Sequence, residues 1–161
     1  MRILLLALAL ALAGCGFRLR GTAELPFDTL YIPSAHAGIA LDIKRQILAG
    51  TRTMVVEDPK TAQAVLQFTQ EAREKHILSL TATGRVREFQ LRYRVGFRVH
   101  DGRGGEFVPA STLQLERNVT FSDAEVLAKE TEEQLLYRDM QTDMVQQIMR
   151  RLAAARAPEA R

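Results

Sequence analysis

The sequence predicts an α+β fold, a two-layer sandwich in which a mixed, mostly antiparallel sheet carries two helices on one face. Two patterns predict it. Apolar and polar residues alternate over Phe89–Val99, which is typical of a strand with one buried and one solvated face. Apolar residues recur every four positions from Leu136 to Leu152, which predicts a long helix, over about Ala124–Ala154, that packs on a sheet.

Shorter elements are predicted in the first half of the chain. Gly16–Gly21 alternates apolar and polar residues and predicts a short strand, and Thr29–Ile32 predicts another. Isoleucines at four-residue spacing predict a helix over Ala37–Ala49. We expect Ser34 to cap the N-terminus of this helix and Gly50 to cap its C-terminus.

The remaining strands are bounded by turns that contain glycine or proline. The central hairpin is expected to pair Glu116 with an arginine of the neighbouring strand. The predicted strands are Arg52–Val56, Val65–Lys75, a separate piece at Ile77–Thr81, Phe89–Val99 and Phe107–Phe121, with turns at Thr83-Gly84 and Asp101–Gly105.

The N-terminus matches a secretion signal that ends in a lipidation motif. Arg2 precedes the apolar run Ile3–Ala13, which is too short to span a membrane. The run leads into Leu-Ala-Gly-Cys, the pattern of a bacterial lipobox, in which Cys15 receives a diacylglycerol on sulfur and an acyl group on its new amine. The alternative is an ordinary N-terminal helix that ends in a buried cysteine. Gly16 leaves sorting to the outer membrane open.

Cleavage before Cys15 would leave 147 residues (161 − 14), enough for a single domain over residues 15–154. Residues 155–161 lack an apolar pattern and are expected to fray. Only Arg2 among the charged residues would be lost, so 21 basic and 19 acidic residues remain, a net charge of +2. This excess is too small to indicate nucleic-acid binding. With Cys15 lipidated, no disulfide is possible.

No arrangement in the sequence indicates catalysis, a metal or a cofactor. The three histidines, His36, His76 and His100, are far apart and lack the spacing of metal ligands. The segment Gly102–Gly105 lacks the Lys-Ser/Thr of a phosphate-binding loop, so a hairpin turn is favoured. We therefore expect a protein that is not an enzyme.

Arginines are concentrated on and before the strongest strand. Arg85 and Arg87 flank its start, and Arg92, Arg94 and Arg98 lie along its polar face. One interpretation is a solvated sheet face whose charges oppose aggregation. The other is a surface that binds anionic groups, phosphate above all. The sequence leaves both open.

Four segments together resemble the LptE family of lipopolysaccharide (LPS)-assembly lipoproteins, the partners of the β-barrel translocon LptD. Each segment is weakly specific alone, but their order and spacing cover nearly the whole chain. The segments are Leu12–Gly21, Arg87–Leu91, Val126–Lys129 with the acidic residues that follow, and Asp139–Leu152.

The resemblance implies a lipid-anchored outer-membrane protein that plugs the LptD barrel, assists its assembly and binds LPS. It implies that Lys129 contacts LPS, because this residue matches a basic position of the family at the start of the last helix. The other basic position of the family aligns with Ala82 or Thr83, so Arg85 and Arg87 are expected only as neighbouring substitutes. An alternative is a periplasmic accessory lipoprotein of a lipid-transport system that has no barrel partner.

Overall fold

A five-stranded sheet forms the frame of the structure, a computed structural model that describes residues 24–122 and 126–158. Cys15, the signal segment and the predicted strand Gly16–Gly21 lie outside these residues. No helix among the described residues is long and apolar enough to cross a membrane. The elements are β1 (Thr29–Tyr31), α1 (Gly38–Gly50), β2 (Met54–Val56), β3 (Ala64–Leu80), β4 (Val86–His100), β5 (Glu106–Thr120) and α2 (Val126–Ala153).

The strand order is β2-β1-β3-β4-β5, and β1 runs parallel to both of its neighbours. β3, β4 and β5 pair antiparallel over most of their length, so β4 has a partner on each side. The predicted α+β class with a mixed, mostly antiparallel sheet is confirmed. The central hairpins account for most of the sheet, because β1 and β2 have only three residues each.

The core lies between the sheet and the two helices. The alternation in β4 places five apolar side chains on the helix side, all with no exposed surface: Leu91, Tyr93, Val95, Phe97 and Val99. Isoleucines 39, 43 and 47 of α1 are also buried, as predicted from their spacing. Helix α2 contributes the four-residue repeat in its second half, where Met140, Met144, Val145, Ile148 and Leu152 are buried.

The prediction of two strand pieces between Val65 and Thr81 was wrong. β3 is one strand of 17 residues, because its pairing with β4 continues through His76, which lies opposite Gln90. Shifts of register occur on either side of Ser79, close to the end of the strand. Pairing with β4 therefore extends β3 beyond the point where the alternation of apolar and polar residues in β3 weakens.

Both predicted caps of α1 were wrong. Ser34 has a left-handed φ of 57° and lies in a turn before the helix, whose N-terminal cap is Ala37. Gly50 is still helical, and Thr51 caps the C-terminus. The Thr51 backbone N–H and hydroxyl both donate to the carbonyl of Ile47, at 3.0 and 2.9 Å. A threonine side chain thus replaces the left-handed glycine that the sequence pattern indicates.

Residues after α2 remain in contact with the domain as far as they are described. Ala155 packs against the core, and Pro158 lies beside the β4–β5 turn. A Cβ atom added to Gly105 would lie 2.7 Å from the Pro158 Cβ, so this turn requires glycine where the tail crosses it.

Leu91→Ala should lower the free energy of unfolding by about 2–5 kcal/mol, because it opens a cavity under the helices. The matched control is Leu48→Ala on α1, where the side chain is 57% exposed and the change should stay within about 0.5 kcal/mol. Chemical denaturation measures both. Equal losses for the two variants would contradict the assignment of the core.

Candidate functional site

Arg85, Arg87 and Lys129, which the sequence singles out, lie at one end of the sheet. We call it the hairpin end, because the β3–β4 turn forms it. Arg85 belongs to this turn and Arg87 to the first residues of β4. The Arg87 carbonyl accepts a hydrogen bond from the Phe121 N–H at 2.9 Å. The Lys129 ammonium donates to the Thr120 hydroxyl at 3.1 Å, so the start of α2 meets the same end.

The β3–β4 turn is closed by hydrogen bonds that hold the Arg85 backbone in place. The Thr81 N–H donates to the Arg85 carbonyl at 2.7 Å, and the Arg85 N–H donates back to the Thr81 hydroxyl at 3.1 Å. Gly84 takes a positive φ of 79° in the turn. Arg85 is exposed there, next to Ala82 and Thr83, where the family's basic residue is expected.

Lys129 is largely covered by its neighbours. Only 19% of its side chain is exposed, and it forms an ion pair with Glu132 at 2.8 Å. Lys75 of β3 forms a similar pair with Glu133, and its ammonium lies 4.3 Å from the centre of the Phe89 ring. Both lysines line a cleft of about 70 Å³ between α2 and strands β4 and β5. A small-molecule site usually has roughly 300–1,000 Å³, so a large ligand must bind across the surface here.

Arg87 differs from Lys129 in its surroundings. Its side chain is exposed, and its guanidinium makes no ion pair or side-chain hydrogen bond within residues 24–122 and 126–158. An exposed guanidinium offers a planar set of donors that matches phosphate. Of the predicted residues, Arg87 is therefore ready to accept an anion without first breaking an internal ion pair.

The arginines along β4 are paired with acidic and amide side chains of the same face. Arg92 lies 3.0 Å from Glu116, which confirms the predicted cross-strand pair. Arg94 donates to Gln114 at 3.1 Å, and Arg98 donates to Gln67 at 2.7 Å. The structure thus favours the interpretation of this face as a solvated, internally compensated surface over that of an open anion site.

Glu74 lies at the centre of this network. His76 Nε2 donates to its carboxylate at 3.0 Å, and the guanidinium groups of Arg92 and Arg94 lie 3.7 and 3.8 Å away. The hydrogen bond from His76 is the main cause that lowers the pKa of Glu74 below its ordinary value, and the two arginines contribute. Glu74 therefore remains ionised and offsets the positive charge of β4. Sequence reasoning missed it because its role depends on the β3–β4 register.

The hairpin end also exposes large apolar side chains that the sequence analysis did not identify as functional. Ile77, Leu78 and Leu80 of β3 are 59%, 45% and 55% exposed, and Val126 and Leu127 at the start of α2 are 40% and 80% exposed. We call these five residues the apolar tip. A signal was present in the sequence, because Ile77-Leu78-Ser79-Leu80 breaks the alternation that a strand with one buried face requires.

The opposite end of the sheet carries a larger and more polar cleft of about 700 Å³. Lys60, His100 and Arg103 are among its lining residues. The three histidines are in separate places: His76 pairs with Glu74, and His100 Nδ1 accepts from the Gly102 N–H at 3.0 Å. Across the part of the chain that the structure describes, no three His, Cys, Asp or Glu side chains are grouped to hold a metal ion.

Comparison with known protein families tests the resemblance that the sequence shows. The family model LptE, described as Lipopolysaccharide-assembly, matches residues 27–152. The chain belongs to the LptE family. Among the described elements, the match includes all five strands, α1, the hairpin end and α2 as far as Leu152. As a member of this family, the protein is an LPS-assembly lipoprotein and not an enzyme.

Two LptE-family relatives and one solved structure show how far the similarity extends. The LPS-assembly lipoprotein LptE of Yersinia pestis (strain Pestoides F) is 31% identical over 98% of this chain and 79% of its own length. That of Photorhabdus laumondii is 29% identical over 94% of this chain and 85% of its own. The NMR structure of uncharacterized lipoprotein B from Nitrosomonas europaea is 45% identical, with a TM-score of 0.74 over 86% of this chain and 91% of the other.

Proposed function

We propose that this protein is an outer-membrane lipoprotein that plugs the LptD barrel, assists its assembly and binds LPS during insertion into the outer leaflet. Membership of the LptE family supports the role in LPS assembly. The anchor would be Cys15, acylated on its sulfur and amine after cleavage of residues 1–14. Two or more lipid chains hold a protein stably on a membrane.

The length of the central sheet is the observation that carries the proposal of a plug. β3 has 17 residues, which at about 3.3 Å each gives roughly 55 Å. A bilayer with its headgroups is about 40–45 Å thick. A body of this length that stands along a barrel axis reaches from one side of the membrane to the other.

The position of the N-terminus agrees with this orientation. Glu24, the first described residue, lies 3.9 Å from Arg52 at the end of the sheet where the short strands begin. The hairpin end, with Arg85 and Arg87, is at the far end of β3. The nine residue steps from Cys15 to Glu24 span at most about 30 Å. A lipid anchor on Cys15 would therefore keep this end of the sheet near the leaflet that holds the anchor. The hairpin end then points away, towards the leaflet that receives LPS.

The free face of the sheet also suits a barrel interior. Large outer-membrane barrels have polar interiors. The charged side chains around Glu74 and Arg92 pair with one another. This face of the sheet therefore offers hydrogen-bonding groups to a polar barrel interior without an excess of one charge. β5 forms the edge of the sheet over 15 residues, and its outer backbone groups can bond to a neighbouring surface.

LPS binding would use the basic residues of the hairpin end. Arg87 supplies an exposed guanidinium, Arg85 lies on the adjacent turn, and Lys129 would exchange its bond with Glu132 for one to a phosphate. Charge-assisted hydrogen bonds of this kind are stronger than neutral ones. The alternative, an accessory lipoprotein without a barrel, shares this surface but differs in its partner.

Copurification distinguishes the two proposals. Lipidated protein purified from detergent-solubilised outer membrane should bring a large β-barrel of the LptD type at near-equal stoichiometry, as identified by mass spectrometry. The intact mass of the recovered chain should correspond to cleavage before Cys15 and acylation. Recovery with inner-membrane transporter subunits, or alone, would overturn the barrel role and favour the alternative.

Charge reversal tests the LPS-binding residues. Arg87→Glu combined with Lys129→Glu should raise the Kd for LPS by about tenfold or more, because a hydrogen bond to a charged group contributes about 1.5–3 kcal/mol. Arg85→Glu should add to this effect. The control is Arg103→Glu in the opposite cleft, which should leave the Kd unchanged. Unchanged binding by the hairpin-end variants, with an unaltered circular dichroism spectrum, would rule out this site.

A further inference from the structure

The cleft at the end of the sheet opposite the hairpin end is a surface feature that the proposed function leaves unexplained. We call it the polar cleft. Its volume of about 700 Å³ lies within the roughly 300–1,000 Å³ that is usual for small-molecule sites. It lies between the β2–β3 loop, which contributes Lys60, and the end of β4 with its turn, which contribute His100 and Arg103. Within residues 24–122 and 126–158, the side chains of Lys60 and Arg103 form no ion pair and no hydrogen bond. Both cations are therefore available to a ligand.

Hydrogen bonds hold both walls of the polar cleft in place. In the turn, Oδ1 of Asp101 accepts from the backbone N–H groups of Arg103 and Gly105 at 2.7 and 2.8 Å. In the loop, the Asp58 carboxylate accepts from the Lys60 N–H at 2.9 Å. A ligand that binds between these walls does not first have to order them, and pre-organisation of this kind favours affinity.

The polar cleft also offers a neutral donor and an anionic acceptor. His100 Nδ1 accepts from the Gly102 N–H at 3.0 Å, so the neutral ring carries its proton on Nε2, which can donate to a ligand. Both turn hydrogen bonds to Asp101 fall on Oδ1, so Oδ2 can accept from a ligand. The hydrogen bond from the Arg103 N–H is the main cause that lowers the pKa of Asp101 below its ordinary value, so this carboxylate is ionised at neutral pH.

Cationic donors beside one anionic acceptor fit a zwitterionic ligand. A phosphate group accepts charge-assisted hydrogen bonds from Lys60 and Arg103. A primary ammonium has three donors, of which one can reach the Asp101 carboxylate. We propose that the polar cleft binds the phosphoethanolamine headgroup of a membrane phospholipid. A ligand with phosphate alone would leave its charge facing the like charge of Asp101, which is unfavourable.

The position of the polar cleft in the chain favours a membrane lipid over a free phosphoethanolamine ester. Gln63, which lines the cleft, accepts from the Asp28 N–H at 2.7 Å and donates its own N–H to the Thr29 hydroxyl at 2.9 Å. The wall is thus bonded to the segment that follows Cys15, and the 13 residue steps (28 − 15) from Cys15 to Asp28 span at most about 45 Å. A lipid anchor on Cys15 would present headgroups to the cleft at high effective concentration, so that even a weak site is filled. This inference rests on the proposed lipid anchor and gives the anchored end a second contact with its leaflet.

The test follows hydrogen–deuterium exchange in the mature, lipidated protein in nanodiscs of phosphatidylcholine. Added phosphatidylethanolamine should slow exchange in residues 59–63 and 100–105 by about twofold or more, because bound ligand suppresses opening in proportion to 1 + [L]/Kd. Phosphatidylcholine has the same phosphate, but its ammonium carries no N–H. Phosphatidylglycerol, which has no ammonium, should give no such slowing when it is added instead. Soluble glycerophosphoethanolamine, added to the protein in detergent, serves as the probe for a free ester.

Variants separate the two parts of the site. Lys60→Gln with Arg103→Gln should abolish the slowing by phosphatidylethanolamine. Asp101→Asn keeps an acceptor for the turn and should reduce the slowing to the level seen with phosphatidylglycerol. The matched control is Arg45→Gln with Arg52→Gln, which removes two cations that are 70% and 82% exposed and lie outside the cleft. This control should keep the full slowing.

Three results would overturn the inference. Equal slowing of the wild type by phosphatidylethanolamine and phosphatidylglycerol would contradict recognition of a zwitterion. Slowing that persists in the Lys60 and Arg103 variant would contradict the site. Protection by the soluble ester without protection in nanodiscs would contradict the membrane as the source. An intact mass without acylation would instead contradict the proposed anchor, and the soluble ester would still test the cleft.

Discussion

The structure depends on the burial of one face of β4. Five consecutive inward side chains, from Leu91 to Val99, have no exposed surface and form part of the floor on which α2 packs. Strict alternation then requires every intervening side chain to point to the other face. That face carries Gln90, Arg92, Arg94 and Arg98, so the core pattern itself creates the polar surface. A shift of register by one residue would exchange the two faces and remove both.

The pairing of β3 with β4 also makes this hairpin long. Its two ends are therefore far apart, and they differ in chemistry. Leu78 and Leu80 are exposed near the end of β3, and Arg85 is exposed in the turn that follows. The other end carries the short strands, the polar cleft and the start of the described chain. Under the proposed function, one domain would hold its lipid anchor near one end and present cations and exposed aliphatic side chains at the other.

The sequence predicted the features that depend on the periodicity of apolar residues. The class of the fold, the long strand β4, the second half of α2 and the pair of Glu116 with an arginine followed from spacing and alternation. The caps of α1 were missed, because Thr51 satisfies the Ile47 carbonyl with a side-chain bond that no glycine pattern reveals. The continuity of β3 was missed because its partner strand maintains it.

The candidate site was predicted only in part. Arg85, Arg87 and Lys129 were named, but Arg87 and Lys129 come to the same end of the sheet only through tertiary contacts. Phe121 bonds to Arg87 of β4, and Lys129 of α2 bonds to Thr120 of β5. The ion pair that covers Lys129, the central position of Glu74 and the exposure of Ile77 and Leu80 appear only once the strands are in register.

Hydrogen–deuterium exchange with and without LPS tests whether LPS binds at the hairpin end, as proposed. Exchange should become slower on ligand addition in residues 76–90, 119–122 and 126–133, with little change elsewhere. Protection confined to residues 59–63 and 100–103, at the opposite cleft, would contradict it.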